Sequence, residues 1–399
     1  MRTRVVLGAW ALAAGAGSRV VAQEPVTRAA AVSAALARGA RGALARTDTA
    51  AARGALHAAR LYPNPSVAAS YSQDLPHNHL LVSMPLDLPW LRAPRVGTAA
   101  AARAAALDEY ALERAAIRCD IDTTYTQALT ALAHARLSRR NAVDADTLLQ
   151  VAELRRAVGD VADLDVRLAE VNAGQLANAA ESDSLAAVEA VLAVQLAMGL
   201  PAEQPTITLA DSLAPPPDTA LGGAGEPLRV AAAGARLAAQ EAALSLARRS
   251  ALATPSVQVG FDQGDPTGPR GLEPVLGISL PLPLFNWNGG EVAQAEAARA
   301  RARAALDLAE RMAAAERAAA TRRLSLALVR LTRDQRLLDG ARRVAAMALQ
   351  AYAEGAVPLA DVLEAERNAR DALGRYIDDV GTANDGLATA RLVAATAEP

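Results

Sequence analysis

The chain is written twice. Pro65-Ser66-Val67 recurs as Pro255-Ser256-Val257, 190 positions on, and Ser83-Met84-Pro85-Leu86 recurs as Ser279-Leu280-Pro281-Leu282, 196 positions on. From there the register stays at 196: Val96 matches Val292, Gly159 matches Gly355, Val161 matches Val357, Asp165-Val166 matches Asp361-Val362, and Asn172 matches Asn368. A register held from 83 to 172 marks duplication of one structural unit. Each half reads as helix, strand, strand, very long helix, tight turn, long helix, the first over 23–200 and the second over 228–399. The segment 201–227 between them contains Pro215-Pro216-Pro217 and Gly222-Gly223, which block helix and mark a linker with one short strand at Thr206 to Leu209.

The predicted strands have unlike faces. Val67, Ala69 and Tyr71 alternate with Ala68, Ser70 and Ser72. Leu80, Val82, Met84 and Leu86 share one face of the next strand, as Leu276, Ile278, Leu280 and Leu282 do in the repeat, while His79, Ser83, Gly277 and Ser279 lie opposite. Strands of about 9 to 11 residues with an apolar outer face and a more polar inner one are the outer-membrane barrel pattern; the edge of a soluble sandwich carries the same alternation. Two hairpins, 66–88 and 256–284, cannot close a barrel, because an open sheet in lipid leaves backbone groups unpaired and the smallest barrels need about eight strands. If lipid surrounds these strands, the chain oligomerises. Pro85, Pro89, Pro281 and Pro283 remove ladder donors where the chain turns from sheet to helix.

Helical composition runs from Ala93 to Ala157 and again from Glu291 to Glu354, roughly 65 residues and about 95 to 100 Å each. Helices of that length belong to a coiled coil or a tube. Apolar residues make up 52% of the chain but aromatics only 3%, which suits closely packed alanine-rich helices. Leu359, Val362, Ala369, Leu373, Tyr376, Val380, Ala383 and Leu387 follow alternating spacings of three and four and call for a neighbouring helix. Gly159 and Gly355 permit the reversals between long helices, and Pro358 suits a first helical turn.

Arg2 and Arg4, an apolar run from Val5 to Ala16 and Val20-Val21-Ala22 match a secretory signal cleaved after Ala22. Cys119, the one cysteine, allows no internal disulfide or zinc cluster, and no cysteine follows the signal to carry a lipid. The formal charge of -2 and pI near 6.2, with arginine as every basic residue, give no nucleic-acid footprint. No Walker motif, nucleophile elbow or HExxH occurs, and the His77-Asn78-His79 pair reads as a solvated loop rather than a metal site. No enzyme, cofactor or metal is expected.

Tyr62-Pro63-Asn64-Pro65-Ser66-Val67, the run from Ser279 to Asn286, and Ala351-Tyr352-Ala353-Glu354-Gly355 followed by Ala360-Asp361-Val362-Leu363-Glu364-Ala365 resemble the TolC family of outer-membrane efflux proteins, with a leaning toward its heavy-metal (CzcC-like) branch. The resemblance implies a mainly α fold with a small β part: a homotrimeric α-barrel tunnel in the periplasm topped by a shared 12-stranded barrel in outer-membrane lipid. It also implies a tripartite pump with a periplasmic adaptor docking on Gly159, Val161, Gly355 and Val357 and an inner-membrane transporter of the RND type. Asp361 and Glu364 resemble the acidic pair of the periplasmic gate, Tyr352 its tyrosine and Asp165 its first-repeat carboxylate. Spacing by three puts Asp361 and Glu364 on one helix face, where two solvated surface acids would sit equally well. Val357 occupies the place of the family's gating arginine, so that latch does not carry over. The competing readings are the outer component of type I protein secretion and a periplasmic coiled-coil scaffold without a pore.

Overall fold

The computed structural model describes residues 24–74, 76–217, 225–251, 254–263 and 272–397; the signal segment 1–22 and Gly222-Gly223 lie outside them. The duplication is visible directly. Strand β1 (Glu24–Val26) and helices α1 (Arg28–Arg38) and α2 (Ala40–Arg60) lead to the hairpin β2 (Ser66–Tyr71) and β3 (Asn78–Pro85), then to α3 (Pro89–Ala157) and α4 (Asp163–Ala197). After β4 (Ile207–Leu209) the order repeats as α5 (Leu228–Arg249), β5 (Ser256–Gln263), β6 (Leu272–Ser279), α6 (Gly289–Ala353) and α7 (Leu359–Ala394). At 69 and 65 residues, α3 and α6 are each about 100 Å long.

Each long helix is flanked by shorter ones. Toward the sheet α3 packs on α2 and α5, and toward the far end on α4 and α7; α6 packs on α5 and α7. The lateral order is therefore α2 and α4, then α3, then α5 and α7, then α6, a curved palisade with α6 at one side and α2 and α4 at the other. None of the described helices is long and apolar enough to cross a membrane.

The four main strands form one antiparallel sheet in the order β2-β3-β5-β6, the two hairpins joining through β3 and β5. Both strands following the hairpin loops end sooner than the alternation predicts, at Pro85 and Ser279. Proline supplies no ladder donor, and Leu86, Leu280 and Leu282 fall just past the strands. The break is the same in both halves: Leu88 donates to the Leu86 carbonyl and Leu284 to that of Leu282, each at 2.9 Å.

At mid-height, β1 and β4 pair in parallel. The linker strand was expected; its partner, only three residues long, was not. They cover a core of Ala31, Ala35, Ile121, Tyr125, Val194 and Ile207. Gln195, fully buried, organises the linker: its Nε2 donates to the carbonyls of Pro201 (2.8 Å) and Gln204 (3.0 Å), and its Oε1 accepts from the amides of Thr206 (2.7 Å) and Ile207 (3.3 Å). A polar side chain survives there because every group it meets is bonded. One expected helix is split in two, α1 from α2, at Gly39. There the chain passes so close to the α4 C-terminus that a Cβ on Gly199, at φ +78°, would lie 2.7 Å from the Arg38 carbonyl oxygen.

Candidate functional site

The sheet presents a continuous apolar face. Register aligns Val67, Val82, Val259 and Leu276 in one row, Ala69, Leu80, Phe261 and Pro274 in the next, and Met84, Val257 and Ile278 in a third. Among the described residues nothing covers it: Leu276 is 81% and Ile278 78% exposed. The opposite face holds Ser70, His79, Asp262 and Glu273 in one row and Ser66, Ser83, Gln258 and Gly277 in another. His79, expected in the loop, lies in β3 with its Nδ1 2.9 Å from Asp262 Oδ1, and His77 stacks on Tyr71 at 5.9 Å between centroids, so both histidines have partners. Among the described residues, strands β2 and β6 are unpaired on their outer sides. An exposed apolar face with two bare edges is stable only when lipid or another chain covers the face and further strands pair the edges.

A collar of aromatics that sequence reasoning missed surrounds the sheet-to-helix junctions. Tyr62, Trp90, Phe285 and Trp287 are all exposed there, Phe285 completely. In a chain so poor in aromatics, such clustering beside the strand-ending prolines was the available signal. Rings of this kind mark the border between hydrocarbon and water. The first junction is bolted: the buried Asp87 carboxylate pairs with Arg95 at 2.8 Å and Arg92 at 3.5 Å, and Arg92 lies over the Tyr62 ring. In the second repeat Pro283 replaces that aspartate.

At the other end the two helical tips meet. Both turns are the same C-cap motif: Gly159 (φ +79°) and Gly355 (φ +75°) donate to Arg156 and Tyr352, and Asp160 and Ala356 donate back to Arg155 and Ala351. Val166, Ala169, Tyr352, Leu359 and Val362 form a small core with Val357 at its border. Tyr352 lies within this core. Its ring is buried, its hydroxyl has no partner among the described residues, and Arg155 stacks over it at 4.6 Å while pairing with Asp160 at 2.6 Å. Asp361 and Glu364 are exposed, Glu364 accepting from Asn368 at 3.3 Å; Asp165 is half-buried in the first turn of α4; Gly159 is exposed and Val161 partly so. Within one chain the acidic pair and Asp165 are not brought into contact.

Between α6 and α7, the carboxyl groups of Asp334 and Asp379 act on each other's titration. Burial, then the Asp334 carboxylate, raise Asp379 from 3.8 to about 6, against the pull of Arg330 at 3.7 Å. An acid raised in the folded chain stabilises it most at low pH, so this contribution is lost as pH climbs from 3.8 through about 6. Asp379→Asn keeps a donor to Asp334 and removes the titration. The variant is expected to melt at higher temperature than the parent at pH 7.5, with a flatter melting profile between pH 4 and 7, measured by thermal unfolding in detergent.

No protein-family model and no curated protein matches the sequence. Solved structures do. A membrane protein from Pseudomonas aeruginosa superposes with TM-score 0.78 at 19% identity, covering 92% of this chain and 93% of that one. The Campylobacter jejuni CmeC outer membrane channel gives 0.78 at 16% identity, over 92% and 85%. The outer membrane protein VceC of Vibrio cholerae gives 0.76 at 18% identity, over 92% and 96%. The chain thus shares the fold of these solved outer membrane proteins.

Proposed function

We propose that the chain is one protomer of a trimeric exit duct in the outer membrane, passing small molecules or metal ions from the periplasm to the exterior without chemistry. The observation that carries this reading is the open four-stranded sheet, apolar on one face and mixed on the other, where the row Ala68, Leu81, Gly260 and Val275 lies between two polar rows, mounted on helices about 100 Å long. Three copies supply twelve strands, which closes the edges and turns the apolar face to lipid. The aromatic collar then sits at the periplasmic border of the membrane, the helices continue the duct into the periplasm, and an amino-terminal signal delivers the chain there. The tips around Gly159, Val161, Gly355 and Val357 are the surfaces on which a periplasmic adaptor docks, itself carried by an inner-membrane transporter of the RND type. Symmetry gathers Asp361 and Glu364 of three chains into a ring of six carboxylates that favours cations, with Asp165 beside it. Tyr352, from within the tip core, sets the height of α7 and so of that ring.

Deleting the gene is expected to raise sensitivity to metals, dyes or antibiotics while leaving the exported protein profile intact. Unchanged sensitivity together with lost protein export would replace this reading by type I secretion.

A further inference from the structure

The charges of the main sheet are gathered in one place. Among the described residues of its four strands, Asp262 and Glu273 are the only carboxylates and no arginine occurs. Register sets both in the row Ser70, His79, Asp262 and Glu273, on the face away from the exposed apolar one and one step from the hairpin ends of the strands. Asp262 and Glu273 stand directly opposite each other across β5 and β6. Like charges so placed repel and weaken a sheet. His79 meets one of them, with Nδ1 2.9 Å from Asp262 Oδ1, while Glu273 has no ion pair among the described residues. The next row toward the helices is of the opposite character. Ala68, Leu81, Gly260 and Val275 offer apolar side chains or none, and Leu81 and Val275 are half-buried. Two residues of rise put this row about 6.8 Å from the acids.

Resting on the duct reading above, we infer that these two rows are the selective part of the exit, and that the solutes they favour are organic cations carrying an apolar body. The carboxylates draw the positive charge, which relieves their mutual repulsion, while the apolar row receives the hydrocarbon one step deeper. Rings of acidic side chains select cations in this way. An inorganic ion would use the acid row alone and leave the apolar row in water, and an anion meets two carboxylates per chain with no arginine on these strands to offset them. Asp361 and Glu364 lie at the far end of the long helices, so their effect is separable from that of Asp262 and Glu273.

Rhodamine 6G and fluorescein share a tricyclic apolar core and carry opposite charges, which makes them a matched pair of probes. With the full-length protein in phosphatidylcholine nanodiscs at pH 7.5, and empty discs as the blank, fluorescence anisotropy is expected to show rhodamine 6G binding about tenfold tighter than fluorescein. Asp262→Asn with Glu273→Gln, both nearly isosteric, is expected to weaken rhodamine 6G about tenfold, and Leu81→Ser about threefold. Asp361→Asn with Glu364→Gln should leave its binding as in the parent. Equal affinity for the two dyes, or rhodamine 6G binding that responds to the Asp361 and Glu364 exchange and not to that of Asp262 and Glu273, in discs that hold three chains, would overturn this selectivity and leave the duct reading standing. Failure of the unmodified protein to enter the discs as three copies would overturn both.

Discussion

Arginine at Val82 is expected to abolish assembly of the chain in the outer membrane. Val82 sits mid-strand in the row Val67, Val82, Val259, Leu276, with apolar neighbours on every side. A guanidinium near the middle of the hydrocarbon costs about 2 to 4 kcal/mol, repeated in every copy around the ring, and no acid on that face is near enough to pair with it. Membrane fractionation and heat-modifiability on gels check the outcome: the variant should be recovered from the soluble periplasmic fraction or be degraded. Ser83→Arg, one residue along on the polar face, should insert. Normal insertion of Val82→Arg would mean the face is not in lipid and would favour the coiled-coil scaffold.

The second large effect lies far from the membrane. Gln195→Leu keeps the bulk of the side chain but strands two carbonyls and two amides of the linker around a fully buried position. At about 1 to 3 kcal/mol for each orphaned group, and allowing the loop to recover some of them, a loss of about 4 kcal/mol is expected. Limited proteolysis should reveal it as rapid cleavage between Pro201 and Pro217 in the variant, with the unmodified linker resistant. Equal cleavage rates would show that the β1–β4 pair alone holds this segment.

What could be read in advance was whatever depends on local pattern. The 196-residue register, the period-two strands and the glycine turns are properties of neighbouring residues, and each maps to an element within a few positions. Pro85, Pro281 and Pro283 showed where the sheet gives way to helix, although the alternation of leucines ran on beyond them and made both hairpins look longer than their ladders. Contacts between distant segments were not legible. Nothing in Glu24–Val26 announces a parallel partner 183 residues away. Gln195 resembles any polar helical residue until the linker folds over it. Arg155 and Tyr352 are apart by more than the whole first hairpin, so their stacking follows only from the meeting of two tips. The proposed gate is also incompletely visible in one chain, because Asp361, Glu364 and Asp165 share an environment only in the proposed trimer.

The two sheet-to-helix junctions are held differently, the first by the buried Asp87 carboxylate and the second by Asn288, whose Nδ2 donates to the Ala247 carbonyl at 2.8 Å, and in the proposed trimer this has a mechanical consequence. Around the proposed ring of three chains, with two joints each, the two kinds of joint would alternate about every 60°. A tube hung on such a mounting can tilt under a load at its far end without straining the barrel, much as a universal joint passes a thrust through a change of angle. In the proposed assembly, a pump below need not stand coaxial with the pore above it.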